Sequence, residues 1–228
     1  MARRKLISAD MWDTLFGLTY LVLGTNAMLL LAAAPLVVLT LTTDPRSSWP
    51  ALAVAGVLAT PAISAAFTVF HRFNVERRTE VVRGFWRAWA LHLRRSLAIG
   101  ALTVGGSAVL GIDVIALSDH RPGALFVPLL LVLGLLLWTT ALLALVAGVE
   151  RPEARLRDVL KASLFLGVRR WYLTVVSFLA LGSLLALFIY SPALALGIAT
   201  TPLLYAAWGN SRYSLRPVLP HGAVVRTG

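Results

Sequence analysis

Four histidines and ten acidic residues are the side chains in this sequence that could bind a metal or move a proton. His71, His92, His120 and His221 lie far apart and lack the short spacings at which paired histidines bind a metal. No GxSxG, HExxH or phosphate-binding glycine loop is present. Cysteine is absent, which excludes thiolate nucleophiles and disulfides. We therefore expect a protein that is not an enzyme and that uses no metal or cofactor.

Polar side chains within the apolar segments are the next candidates. Asn26 lies near the middle of the first apolar segment, and Thr139 and Thr140 lie in the fourth. An amide in lipid needs a partner, and such interhelical bonds contribute on the order of 1 kcal/mol. We expect Asn26 to bond between helices with the two threonines as its counterparts; the alternative is that it lines a transport pathway. All ten acidic residues lie near segment ends or in loops, which disfavours ion-coupled transport.

The elements that carry these residues are long apolar runs. Of the 228 residues, 58% are hydrophobic and 14% charged, and the runs approach the roughly 20 residues that a helix needs to cross a bilayer. We predict an all-α, polytopic transmembrane bundle over 1–210 and a mobile cytoplasmic tail over 211–228. The predicted spans are 15–41, 52–70, 97–117, 125–149, 172–190 and 193–208.

The two ends of this predicted bundle raise separate questions. The basic start of the chain imitates a signal peptide, but the apolar run continues through Pro35, so we expect an uncleaved first span. The sixth span is short and follows Ser191 and Pro192. A tight turn between two spans and one longer, broken helix are therefore both open at this point.

Basic residues are distributed unevenly between the loops. With six spans, 19 of the 21 Lys and Arg residues fall on one side of the membrane, and only Arg46 and Arg121 fall on the other. The positive-inside rule places the 19-residue side and both termini in the cytoplasm. Because topology explains the net charge of +11, we expect contact with anionic lipid headgroups and no nucleic-acid binding.

Two basic segments resemble each other at a shift of 74 residues. One begins VERRTEVVRGFW at Val75 and the other VERPEARLRDVL at Val149. Both would follow an inward span and precede an outward one, which predicts two amphipathic cytoplasmic helices and a parallel internal repeat with units of about 51–117 and 125–190. Chance similarity between two basic helices is the alternative.

The first basic segment carries the candidate partner-docking residues. Helical spacing places aromatic residues on one face and most arginines on another, which suits a helix at the membrane surface. Such a helix could brace the bundle. It could also dock a cytoplasmic partner, because Trp and Arg are favoured interface anchors. The docking residues would be Arg83, Phe85, Trp86, Arg87 and Trp89.

A second, shorter similarity joins TPAISAAF at Thr60 and TPLLYAAW at Thr201. Small residues there predict close helix packing. Pro61 and Pro202 are expected to kink their helices, with the freed carbonyl satisfied by a neighbouring group or a threonine hydroxyl. We interpret both positions as packing features rather than as a substrate site.

The stretch 60–102 resembles the YesL family of bacterial integral membrane proteins, whose domain has no known function. The similarity rests on the small-residue turn PAISAA and on the basic aromatic sequence RGFWRAWALHLRRSLAIGAL; Thr60 stands where a glycine is expected. Members are often encoded beside carbohydrate ABC transporters. The resemblance therefore implies a bacterial plasma-membrane protein that assists or regulates a carbohydrate importer and contacts its subunits. An autonomous small-molecule carrier is the alternative.

Overall fold

The computed structural model describes residues 2–76, 80–118 and 125–215. The structure is 91% helical and contains no strand in these ranges, so the fold is the expected all-α bundle. Predictions that concern Arg77, His120, Arg121 and His221 fall outside the described residues. In chain order the elements are α1 (Ala2–Ala32), α2 (Ala34–Thr42), α3 (Trp49–Glu76), α4 (Val81–Ser118), α5 (Val127–Glu150), α6 (Leu156–Arg169), α7 (Trp171–Tyr190), α8 (Pro192–Leu194), a π-helical turn (Ala195–Ala199) and α9 (Thr200–Leu215).

Four of these helices, α3, α4, α5 and α7, are long and apolar enough to cross a membrane. The number rises to five if α1 and α2 together form one bent span. Only 6% of the most apolar window of α7 is buried inside the protein, so most of that helix faces lipid. The chain is therefore a helical membrane protein, and the sixth span stays a prediction.

The first predicted span is not one continuous helix. The span predicted over 15–41 consists of two helices, α1 and α2, which meet at Ala33 with their axes bent by 72°. Pro35 lies in the first turn of α2. Proline has no N–H, and its ring would clash with the carbonyl of Leu31 in a straight helix.

Helix α4 joins two segments that the sequence predicted as separate. Its 38 residues run without a break from Val81 to Ser118, so the expected surface helix and the third span are one element. At about 1.5 Å per residue it is roughly 57 Å long, nearly twice the 30 Å of hydrocarbon. A separate helix lying at the interface is therefore wrong for this segment.

The second basic segment does form a helix of its own. Helix α6 ends at Arg169, and Arg170 has a non-helical backbone (φ −116°, ψ 44°) before α7 begins at Trp171. One of the two expected amphipathic helices is thus present as predicted. The two predicted repeat units contain different numbers of helices, two and three. The parallel repeat stays a prediction.

The last helix returns alongside α7. The chain leaves the helical conformation at Ser191 (φ −150°, ψ 80°), and the Asn210 side-chain amide donates to the Leu173 carbonyl and, at 2.7 Å, to Ser177 Oγ. The end of α9 therefore lies beside the start of α7, and the two helices are antiparallel. This arrangement decides for a tight turn and against one longer, broken helix.

The predicted mobile tail begins too early. Residues 211–215 belong to α9, where Ser211, Ser214 and Leu215 are buried. Helix α9 continues because its last turn packs into the bundle instead of entering solvent. The rest of the predicted tail, 216–228, falls outside the described residues.

Small residues bring α3 and α4 close together, as expected. Ala62, Ala65 and Ala66 of α3 are fully buried. Ser96 in α4 donates a hydrogen bond to Ser64 Oγ at 2.7 Å, and a Cβ on Gly100 would collide with the Thr60 side chain. Close packing and an interhelical hydrogen bond are the interactions expected to join helices in lipid.

Candidate functional site at the basic end

The first half of α4 exposes a face that combines cations with large apolar groups. These residues recur at three- and four-residue spacings, which places them on one side of a helix. We call this surface the α4 ridge. It consists of Arg83, Trp86, Arg87, Leu91 and Arg94, all of which are exposed.

The opposite face of the same half-helix is packed into the protein. Val81, Phe85 and Ala88 are at most 1% exposed. Val81 lies against Gly24 of α1, where a Cβ on the glycine would come within 3.1 Å of Val81 Cγ1. The ridge is therefore held on a fixed support, which limits the ordering cost of binding.

Two of the predicted docking residues do not belong to the exposed surface. Phe85 is fully buried, so its assignment to docking is wrong, and Trp89 is partly buried. Their rings support Trp86 instead, because the Trp86 centroid lies 5.7 Å from that of Phe85 and 5.9 Å from that of Trp89, both in edge-to-face arrangements. Arg83, Trp86 and Arg87 are exposed together on one side of the helix, so the predicted separation of aromatic residues and arginines onto different faces is wrong for Trp86.

Arg95 ties this half of α4 to the end of α5. Its guanidinium donates to the carbonyls of Arg151 and Pro152 at 3.3 and 3.2 Å. These carbonyls follow the C-terminus of α5, where the helix dipole favours a cation. Gly148 permits the approach, since a Cβ there would be 3.3 Å from Arg95 Nε.

A charged network lies where α3, α5 and α9 end. Glu150 Oε1 lies 2.9 Å from His71 Nδ1 and 3.0 Å from Arg212 Nε. The Glu150 side chain is only 6% exposed, while His71 and Arg212 are 26% and 33% exposed. A buried carboxylate needs such partners, so the network fixes three helix ends relative to one another.

Aromatic rings surround this network on the apolar side. The Phe70 ring lies 5.3 Å from Tyr205 and 6.1 Å from Trp208, and Arg212 stacks 5.4 Å from the Trp208 ring. The Tyr205 hydroxyl accepts a 2.6 Å hydrogen bond from Asn74. The cluster therefore joins the end of α3 to α9 through both apolar and polar contacts.

Sequence reasoning missed this network. The sequence analysis considered His71 only as a possible metal ligand, and it did not connect His71 with Glu150 or Arg212. The information that could have grouped them is their common position, because the positive-inside pattern places the ends of all three helices on one side. A carboxylate after a long apolar run needs a basic partner, but the sequence offers several on that side, Arg72 and Arg151 among them, and does not select His71 and Arg212.

Asn26 is almost completely buried and forms the expected interhelical hydrogen bonds. Its Nδ2 donates to the Gly197 carbonyl at 2.7 Å, and its Oδ1 accepts from the Thr201 backbone N–H at 2.8 Å and from the Thr201 hydroxyl. In an α-helix the Thr201 N–H would donate to Gly197 directly. The Asn26 amide is inserted into that bond, and the helix adopts a π-helical turn there.

The predicted counterparts of Asn26 lie elsewhere. Thr139 and Thr140 donate to carbonyls one turn earlier in their own helix, at 2.7 Å each. Their pairing with Asn26 is therefore wrong. Thr139 is buried against α6, where a Cβ on Gly167 would lie 2.7 Å from its methyl group. The missed partner was the π-helical turn, which has no sequence signature beyond the Thr201-Pro202 step.

The two proline positions also differ from each other. Pro61 is fully buried in α3, which continues through it as a single helix, and the Thr60 hydroxyl bonds to Gly56 rather than to the carbonyl that the proline frees. Pro202 is exposed and directly follows the residue that bonds to Asn26. Pro61 therefore takes part in packing, as predicted. Pro202 instead lies on the exposed surface, just after the π-helical turn.

Residues 22–114 match the family model of DUF624, proteins of unknown function. The DUF624 match covers the last third of α1, all of α2 and α3, and nearly all of α4, and therefore includes the α4 ridge and Asn26. Comparison with curated proteins and with solved structures gave no match. The similarity thus points to the region that presents the ridge without assigning an activity to it.

The chemistry that this end offers is recognition. The ridge supplies guanidinium groups that can donate paired hydrogen bonds to carboxylates or phosphates, next to a tryptophan ring with both apolar and hydrogen-bonding character. Glu150 is engaged by two basic partners and is largely shielded from solvent. The geometry therefore favours binding over proton transfer.

Proposed function

We propose that this chain is a nonenzymatic plasma-membrane protein that assists or regulates a carbohydrate ABC importer by docking its α4 ridge against an importer subunit. The observation that carries the proposal is the ridge itself, an exposed set of Arg and Trp residues on a helix whose other face is buried. Aromatic and arginine side chains on a preorganised support are the composition of interface hot spots.

Similarity supports the choice of partner. YesL proteins are members of the family that residues 22–114 match. The stretch 60–102, which carries the resemblance to YesL proteins, lies inside that match and contains the ridge. The often-shared gene neighbourhood with carbohydrate importers then makes an importer subunit the first partner to test.

The proposed orientation follows from charge. The ridge and the Glu150 network belong to the end of the bundle where the basic residues concentrate, and the positive-inside rule puts that end in the bacterial cytoplasm. An importer's cytoplasmic surfaces would then be within reach of the part of α4 that exceeds the membrane thickness.

An autonomous carrier, the alternative raised from the sequence, loses its main support. That alternative relied on Asn26 lining a pathway. In the structure the amide N–H of Asn26 is engaged by Gly197 in the π-helical turn, and its amide oxygen by Thr201 at the start of α9. A side chain used in this way holds helices together and is not free to bind a substrate.

The test is a crosslinking pull-down from native membranes. The variant Arg83→Ala, Trp86→Ala, Arg87→Ala removes the centre of the ridge and leaves the buried Phe85 unsubstituted. A matched control, Arg157→Ala, Lys161→Ala, Phe165→Ala, removes two cations and one aromatic ring from exposed positions on α6. Since hot-spot residues each contribute roughly 1–2 kcal/mol or more, we expect recovery of importer subunits to fall at least about tenfold in the ridge variant.

The control should recover importer subunits at the wild-type level, with all proteins equally expressed. Absence of any importer subunit from the wild-type sample would contradict the proposal. Equal loss in the ridge variant and in the α6 control would also contradict it, because general charge would then explain the association. In either case sugar uptake into liposomes by the purified protein becomes the experiment to perform.

A further inference from the structure

A groove of about 540 Å³ lies between α5, α6 and α7, away from the α4 ridge. Its walls are apolar, with Leu135 and Leu136 from α5, Val168 from α6, and Val175 and Phe178 from α7. The volume is within the roughly 300–1,000 Å³ of small-molecule sites. The groove therefore has the size and the surface to hold a long apolar group.

One end of this groove is basic. A second depression, of about 420 Å³, shares Val168 with the groove and is lined by Lys161 and Arg169 together with Leu164 and Phe165. Both cations are exposed, and neither side chain forms a hydrogen bond or an ion pair with the described residues. An apolar cleft thus opens onto two uncommitted cations.

The surroundings of the groove indicate what covers it. Helix α7 is a membrane-spanning candidate that buries little of its apolar surface in the protein, so the groove is continuous with a lipid-facing surface. Trp171, which lines the groove, is 67% exposed at the start of α7, beside the basic depression. Tryptophan favours the headgroup level of a bilayer, so the basic end of the groove lies where headgroups are found.

We propose that this groove binds one anionic phospholipid, with an acyl chain between α5 and α7 and the phosphate between Lys161 and Arg169. The site matches the lipid part by part, because the apolar groove fits an acyl chain and the cations lie at the level of the phosphate. Basic pockets at the ends of transmembrane helices are a recurring means of binding anionic headgroups. The site is independent of the α4 ridge and of the proposed importer contact.

The test measures lipid retention by the purified full-length protein. Native mass spectrometry counts bound phosphatidylglycerol and phosphatidylcholine over a titration of each, with inorganic phosphate as a third arm. Lys161→Gln with Arg169→Gln removes the cations, and Val175→Trp fills the groove at a position that is 44% exposed and tolerant of size. Arg83→Gln with Arg87→Gln is the matched control, with the same charge change on the ridge.

We expect wild type to retain one phosphatidylglycerol at least about tenfold more tightly than phosphatidylcholine, because each surface cation strengthens binding to anionic lipid. The charge variant should lose this preference, the groove variant should lose retention of both lipids, and the ridge control should behave as wild type. Inorganic phosphate should not compete, since it lacks the chain that fills the groove.

Three results would overturn the proposal. Equal retention of the two lipids by wild type would remove the role of the cations. Full retention by Val175→Trp would show that phosphatidylglycerol adsorbs only to surface charge. Specific capture of a protein that depends on Val175, with lipid binding unchanged, would assign the groove to a protein partner instead.

Discussion

The two basic segments share a sequence pattern but fold differently. In the first, α4 runs from Val81 to Ser118 without a break, whereas the second is divided at Arg170 into α6 and α7. Two equivalent pairs of positions are nevertheless buried in both, Phe85 with Val159 and His92 with Leu166. The shared pattern is thus reflected at these two buried positions, whereas the helix continues in one copy and breaks in the other.

The position of the break shows why. At a shift of 74 residues, Ser96 corresponds to Arg170. Ser96 is 2% exposed and bonds to Ser64, so α4 can continue against α3. Arg170 is too large and too polar for such a position, and its guanidinium instead donates to the Tyr213 carbonyl at 3.0 Å. One small residue therefore permits a continuous helix where an arginine accompanies a break.

We expect the largest difference in stability between two single variants, each of which places the other copy's residue at this position. Ser96→Arg would bury a cation between α3 and α4, at a cost of several kcal/mol, so we expect little folded protein. Arg170→Ser removes a hydrogen bond and a 5.8 Å contact with the Tyr213 ring at a partly exposed site, for about 1 kcal/mol. Fluorescence-detected size exclusion and thermal unfolding in detergent would measure both; comparable loss from the two variants would contradict the comparison.

Truncating the buried side chains at the equivalent positions 85 and 159 should lower stability by less. We expect Phe85→Ala to lower the unfolding free energy by about 3–5 kcal/mol, because the ring is fully buried. Val159→Ala removes fewer atoms and should cost roughly 1–2 kcal/mol. Reversible unfolding in mixed micelles gives both values. If Phe85→Ala proved harmless, the first half of α4 would not be the rigid support that the ridge requires.

The smallest expected effect on stability comes from spin labels at exposed positions, which report the distance between the two parts of each segment. The sequence has no cysteine, so spin labels can be placed at 83 and 102 in α4 and at the equivalent exposed positions 157 and 176. A continuous helix separates positions 19 residues apart by about 28 Å, and the broken pair should give a shorter distance. Pulsed electron resonance would measure both, and equal distances would show that the break at Arg170 does not bend the chain.

The sequence was sufficient to predict the helical class and most of the helix positions, because long apolar runs are strong local signals. It did not predict the bend at Ala33, although Pro35 gave a local reason for it. Where α4 continues past the equivalent of Arg170, Ser96 contacts Ser64, which is 32 residues away in the chain. No local pattern contains that information.

The candidate site was predictable to a similar extent. Helical spacing selected Arg83, Trp86 and Arg87, which are exposed in the structure, but it placed the tryptophan and the arginines on different faces, whereas they share one. It failed for Phe85, because an amphipathic pattern does not say whether the apolar face meets lipid or another helix. The partners of Glu150 and of Asn26 come from other helices, so they depended on the tertiary fold.

The Asn26 contact also bears on how the chain is assembled. Asn26 emerges early in synthesis and its partners at 197–201 emerge near the end, so for most of translation α1 would hold an unsatisfied amide in the membrane. The π-helical turn would in the same way hold an open backbone bond until it reaches α1. The first and last helices thus complete each other, and the bundle is expected to close only once the C-terminal hairpin has been inserted.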